Sequence, residues 1–512
     1  MGVNSILTAE QESVVPSARQ LQPQRTGLLA VGLILCGTAL LLLGLGFGGQ
    51  SNGVLGFYLL PWMALVAVIA LTPAVYLYYK RRLVFYHPLV YGVVRSVIPE
   101  FVIGPIAIAL NMHDTYAYSL ISDPQFYLPL ALIYVALGLA GLAVGFALPI
   151  GPRIGRKVFA KVPAGDWSFE EVWVPALLLL AIGQVGTLAG LQAGSVGYQL
   201  TESPSLWGQT LTSLSAVGGF AQLVLWFTIF RARRRTPVHW LVIIILIAYG
   251  GLNALLSGGK GGVFEQVFVV LAVYFLAGRR LRLRYAIVVA VIAVPLIVLG
   301  VSYGNTFRGL KGSESTVDVA DYAGFVSDAT GALFASDLGD SLASGAESFF
   351  QRMEIITHLG VIVSKYERLA PLEEQYGLAN NIMMYTLTGF IPRFVWPEKP
   401  VISDTRAVAA LYFNRPDTSY AITPFGDLLR NFGPVGVPVG MAILGVVFAA
   451  IYQLVARQPT TAWRAGLYYA LLVTVSYEGF YGTILPGMLR AGVTVAVGTL
   501  FLRFFIGKLR NL

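Results

Sequence analysis

Apolar runs close to twenty residues long recur along this chain, separated by short polar connections. A helix needs roughly 20 mostly apolar residues to cross about 30 Å of hydrocarbon. The pattern predicts about twelve such helices, over 27–48, 57–79, 86–110, 126–149, 172–192, 210–230, 238–256, 263–277, 285–304, 435–456, 464–480 and 487–507. The expected fold class is an all-α polytopic membrane protein. The stretch before the first run is polar and many runs follow it, so that run reads as a span and not as a signal peptide. Four regions result: a tail over 1–26, helices 1–9 over 27–304, a long connection over 305–434, and helices 10–12 with a short tail over 435–512.

The connection over 305–434 breaks the rule of short loops, and loops of that length are usually functional or disordered. Its parts differ. Residues 310–345 are rich in Ser, Gly, Ala and Asp and read as a mobile tether. Phe349, Phe350, Met353, Ile356, Leu359, Ile362 and Val363 recur at helical spacing, which predicts an amphipathic helix within 346–370. It would lie on the membrane or against the bundle. The apolar stretch 378–396 is interrupted by Pro392 and Arg393 and reads as a re-entrant or interfacial piece.

Charge supplies the orientation. Basic clusters fall on every second connection: Lys80 to Arg82, Arg153 to Lys161, Arg231 to Arg235, Arg279 to Arg284, Arg457 with Arg464, and Arg503 to Arg510. With Arg19 and Arg25 before the first span, the alternation places both termini in the cytoplasm and 305–434 outside. The net charge of +9 is explained by this orientation and not by nucleic acid. Cys36 is the only cysteine, so no disulfide or Cys-based metal site forms within one chain. No His/Asp/Glu cluster has metal-ligand spacing, and no cofactor motif is present.

Ionisable groups inside or at the rim of a bilayer are costly and usually mark function. Arg95 and Glu100 share the third span, either as a mutual ion pair or as part of a site. Lys260 lies in the glycine-rich turn 257–262, which suits an anion or is simply a flexible hairpin. Arg308, Arg352, Arg393, Arg406, Arg430 and Arg490 are spread along the outer connection and the last outer turn. An arginine fork binds two phosphate oxygens at once, so several converging arginines would hold a diphosphate without a metal. Asp404, Asp427 and Glu478 are the candidate carboxylates for orienting or deprotonating an acceptor hydroxyl, with His358 a weaker candidate. Tyr376, Tyr385, Trp396, Tyr412, Phe413 and Tyr420 are either sugar-stacking platforms or interfacial anchors.

Two segments carry a resemblance: Ile391-Pro392-Arg393-Phe394-Val395-Trp396-Pro397-Glu398-Lys399-Pro400, and Thr423 to Gly436 with Asn431-Phe432-Gly433 before a span. Together with the late outer loop, they resemble the bacterial O-antigen polymerase (Wzy-like) group, the oligosaccharide repeat unit polymerases. The likeness covers residues 350–445; Asp427 stands where an acidic residue, often Glu, is expected. The resemblance implies a fold related to membrane glycosyltransferases that use lipid donors (GT-C-like), in the bacterial inner membrane. It implies joining of oligosaccharide repeats carried on undecaprenyl diphosphate, on the outer face; the arginines add the expectation of a transfer without metal, and a chain-length regulator is a candidate partner. Arg393 and Arg430 lie in the matching motifs; the other arginines and Lys260 are placed by position alone. Two rivals remain: a ligase-like relative that moves a finished glycan, and a transporter or flippase of lipid-linked sugars. The second expects internal repeats, and none is visible.

Overall fold

The computed structural model describes residues 57–160, 166–198, 205–259, 261–312, 317–335, 337–399, 403–416, 418–456 and 460–510. The expected span over 27–48, Lys260 and Arg457 lie outside them. The described residues form helices and turns only. In chain order the main helices are α1 (Leu60–Tyr79), α2 (Pro88–Ala109), α3 (Pro124–Ala147), α4 (Phe169–Gln192), α5 (Gly208–Arg231), α6 (Pro237–Leu256), α7 (Gly262–Leu276) and α8 (Leu283–Lys311). Then follow α9 (Val319–Ala335), α10 (Leu338–Met353), α11 (Ile356–Leu369), α12 (Asn381–Thr388), α13 (Thr405–Phe413), α14 (Thr423–Tyr452), α15 (Ala462–Val473) and α16 (Ile484–Arg510).

Nine of the described helices are long and apolar enough to cross a membrane: α1 to α6, α8, α14 and α16. The expected spans over 263–277 and 464–480 correspond to shorter helices, α7 of 15 residues and α15 of 12. At 1.5 Å per residue these reach only about 22 Å and about 18 Å. Helix starts follow the sequence chemistry. Asp123 accepts the Phe126 amide at the start of α3, and Ser168 and Glu171 form a reciprocal capping box at α4.

The central pair is α3 and α14. A Cβ on Gly141 would lie 2.2 Å from the Pro438 carbonyl oxygen, and one on Gly145 1.9 Å from that of Ala442. Only glycine at these two positions, one turn apart, lets the backbones touch. The α14 helix is broken at Gly433, whose φ of 69° and ψ of −169° belong to glycine alone. The Asn-Phe-Gly segment is therefore a break within a helix that begins ten residues earlier, at Thr423.

The two ends of the bundle differ. At one end, Arg279 donates to the carbonyls of Phe230 and Ala232, and Arg231 pairs with Asp166. The connections carrying basic clusters thus meet there. The opposite end, here the loop end, carries the segment between α8 and α14.

That segment departs from the sequence expectation in its first third. The described residues of 310–345 hold the end of α8, α9 and the first half of α10 instead of a tether. They are tied down: Tyr322 donates to the Leu256 carbonyl at 2.7 Å, and at Gly345 a Cβ would lie 2.6 Å from the Val298 carbonyl oxygen. The amphipathic stretch 346–370 is two helices, α10 and α11, broken at Glu354. The α11 helix buries Ile356, Leu359, Val361 and Ile362 against α3 and α14, inside the core. Residues 378–396 form the short helix α12 followed by turns.

Candidate functional site

A groove runs between α2, α7 and α8 and is capped at the loop end by α10. Its lower part is a cavity of about 180 Å3 lined by apolar side chains, among them Val94, Val267, Phe268, Ala293, Val294 and Phe350. Its upper part, of about 110 Å3, is walled by Arg95, Ser96, Glu100, Glu265, Arg352, Ser476 and Glu478. Pro99, Phe264, Ile297, Phe349 and Met353 line both, so the apolar and charged parts are continuous.

The charged walls owe their placement to irregular backbone. In an α-helix, residues five apart point about 140° away from each other. Residues Val93–Ile103 of α2 are π-helical. Bonding from i to i+5 widens the turn, so Arg95 and Glu100 come round to one face and line the same pocket. At Gly104 a Cβ would lie 2.1 Å from the Met353 carbonyl oxygen. This close approach seats the end of α10 on α2 and brings Arg352 to the pocket. Glu478 is held from the other side: its carbonyl accepts the Thr423 amide at 3.3 Å, tying the turn after α15 to the start of α14.

Two ion pairs cross the pocket, Arg352–Glu478 at 3.0 Å and Arg95–Glu265 at 3.3 Å. Arg95 thus pairs with Glu265 and not with Glu100, the partner its position in the span suggests. Glu100 is 5% exposed and its Oε2 has no hydrogen-bond partner. It also feels the Glu478 charge. Two guanidinium groups and three carboxyl groups therefore share one pocket, and both Arg352 and Glu478 are more than a third exposed.

Asp427 and Arg430 lie elsewhere, sealed in the interior. The Arg430 guanidinium donates to Glu373 at 3.0 Å, to the Leu378 carbonyl at 2.9 Å, to Asn381 and to Asp427 at 2.8 Å. Asp427 also accepts from Asn381 at 3.1 Å and from the Gly482 amide at 3.2 Å. Both side chains are 0% exposed. Tyr412 donates to Glu373 at 2.7 Å. Burial, then the Glu373 charge, pushes its hydroxyl well above the ordinary tyrosine range. This network clamps the start of α14 to the segment between α8 and α14 and to the turn before α16.

The remaining candidates separate further. Asp404 accepts the Arg406 amide at 2.9 Å and starts α13, and the two side chains pair locally. Arg308 lies 4.3 Å over the Tyr198 ring and donates to the Gly258 carbonyl. Arg393 donates to the Pro397 carbonyl. Arg393 and Arg490 both act electrostatically on Lys399. His358 faces Asp114 at 3.7 Å. Tyr412, Phe413 and Tyr420 are buried, whereas Tyr376 and Trp396 are exposed. Among the described residues no group of three His, Cys, Asp or Glu side chains converges as metal ligands would.

Of the sequence candidates, Arg352 and Glu478 meet in the open pocket, together with Arg95 and Glu100 of the third expected span. Sequence reasoning missed Glu265 as the partner of Arg95, and Glu373 and Asn381 as partners of Arg430. These are contacts across 49 or more residues, with no local spacing to announce them.

The helices and the recessed charged pocket define a multi-pass helical membrane protein. The chain belongs to the family described as Domain of unknown function (DUF8712), whose model matches residues 188–482. The matched region includes Glu265, Arg352 and Glu478; Arg95 and Glu100 precede it. No curated protein matches the chain, and no solved structure does.

Proposed function

We propose that the protein is a membrane glycosyltransferase that extends a polysaccharide from lipid-diphosphate-linked oligosaccharides of the undecaprenyl type. The observation that carries this reading is the continuity of an apolar intramembrane groove with a pocket holding two arginines and an exposed carboxylate. An amphiphile with a long hydrocarbon tail and an anionic head matches both parts at once. The tail lies along α2, α7 and α8. Arg352 and Arg95 leave their carboxylate partners and hold the diphosphate, stabilising the charge that builds on it as it departs.

Glu478, released from Arg352, takes the proton of the incoming sugar hydroxyl. The hydroxyl oxygen bonds to the anomeric carbon as the bond from that carbon to the diphosphate breaks, and the lipid diphosphate leaves with the electron pair. Arg430 and Asp427 hold the frame and touch no substrate.

Reconstitution of the full chain in liposomes with a polyprenyl-diphosphate oligosaccharide tests this. Glu478→Gln and Arg352→Gln, each verified as folded, are expected to slow chain extension by roughly 100-fold or more. Extension at the wild-type rate by both variants would sink the assignment. A second reading, translocation of the same lipid, is favoured by one observation: Glu100 is buried within a span with an unpartnered oxygen. Movement of lipid-linked glycan between leaflets without any new glycosidic bond would select that reading.

A further inference from the structure

We propose that Arg393, Lys399 and Arg490 form a second site, separate from the charged pocket, that binds the phosphate of an anionic lipid headgroup at the membrane rim. None of the three residues lines the charged pocket. None forms an ion pair with a carboxylate among the described residues. Lys399 is 7% exposed and its ammonium donates to the carbonyls of Gly389 at 3.3 Å and Ile391 at 3.0 Å. It is fixed in place but its charge is not neutralised. Burial, then Arg490 and Arg393, push it down to about 8. Arg393 spends one donor on the Pro397 carbonyl, and the rest of its fork remains open.

A Cβ on Gly389, whose carbonyl holds Lys399, would lie 2.7 Å from the Pro486 side chain, one turn before Arg490 on α16; a cluster of three cations, one of them buried, is costly unless an anion joins it. Its surroundings say which kind. Phe390, Phe394, Val395 and Trp396 are exposed beside Arg393, and Leu489 and Val493 are exposed on α16 around Arg490. Phe394 stacks on Trp207 at 5.2 Å. Exposed apolar and aromatic side chains of this density belong against lipid, with aromatics at headgroup depth. The cations therefore sit where phosphodiester groups lie. The chemistry shared by a lipid headgroup and a free phosphate is the anionic oxygen set; the apolar ring favours the lipid. This site does not depend on the catalytic reading above.

Native mass spectrometry of the purified full chain tests it. The protein is titrated with phosphatidylglycerol, with phosphatidylcholine, and with inorganic diphosphate alone. Wild type is expected to retain phosphatidylglycerol, and the Arg393→Gln/Arg490→Gln double variant to bind it at least tenfold more weakly. Arg352→Gln is expected to bind it as wild type does, which separates this site from the catalytic pocket even if no polymer is ever made. Equal binding by the double variant overturns the proposal. So does equal retention of phosphatidylcholine, loss of the same lipid in Arg352→Gln, or displacement of the lipid by inorganic diphosphate at equal concentration.

Discussion

Replacing Arg430 by alanine separates a structural role from a catalytic one. The guanidinium is fully buried and donates to Glu373, Asp427, Asn381 and the Leu378 carbonyl. Its removal leaves two carboxylates inside the protein with no cation. Breaking a buried pair by deleting one partner costs about 3–5 kcal/mol, largely because the remaining charge stays buried and unpaired. Here two charges are stranded, so the upper part of that range is expected. This corresponds to a shift of roughly 10^3 or more in the folded fraction, at 1.4 kcal/mol per tenfold. The assay is the temperature at which the detergent-purified protein loses its monodisperse peak on size exclusion. Arg430→Met combined with Asp427→Asn and Glu373→Gln removes charge and counter-charge together. It is expected to recover most of the loss, because neutral groups of similar shape replace the network. An Arg430→Ala protein that melts as wild type but makes no polymer would refute this account, since a diphosphate ligand would behave that way.

Two further outcomes follow from particular residues. Glu354 is buried, one carboxylate oxygen accepts from Thr357, and burial pushes its carboxyl up to about 8. Its fold-stabilising proton is fully in place below about 4.5 and is lost as pH rises through about 8. Thermal stability should fall over that window, and Glu354→Gln should flatten the decline; an unchanged pH profile in the variant would refute it. Gly433→Ala meets no atom within 4 Å, so its cost is purely conformational. About 1–3 kcal/mol of lost stability is expected from the same melting assay, and an unperturbed melt would show that the break in α14 is not enforced.

The spans were legible because the bilayer requires long apolar runs, and eleven expected runs fall on described helices. Their lengths were not, because hydropathy does not mark where α7 and α15 stop. The break at Glu354 was invisible for a different reason. The apolar period from Phe349 to Val363 continues through it with no glycine or proline at 349–359, and the interruption rests on a carboxylate turning back to Thr357. The Asn-Phe-Gly segment was found as a motif before a span, and the backbone is interrupted at Gly433; what was not legible is that a helix already runs from Thr423 up to that break. Arg430 was legible as a candidate by residue type and by its place in the Thr423 to Gly436 segment. Whether an arginine is a ligand or a keystone depends on what surrounds it, and Glu373 lies 57 positions away. The π-helical turn that unites Arg95 with Glu100 leaves no recognised sequence pattern.

The short helices α7 and α15 give the pocket its depth. Glu265 lies in the first turn of α7 and Glu478 just beyond α15, and at about 22 Å and about 18 Å these helices are shorter than a layer about 30 Å thick. On the proposed function, water reaches the two carboxylates through a well that these short helices leave open. The groove opens sideways from that well and the outer segment stands above it. Two departing species of opposite polarity would thus have separate ways out, the greasy one along the plane of the bilayer and the hydrated one along its normal. Under that arrangement neither product blocks the other's exit.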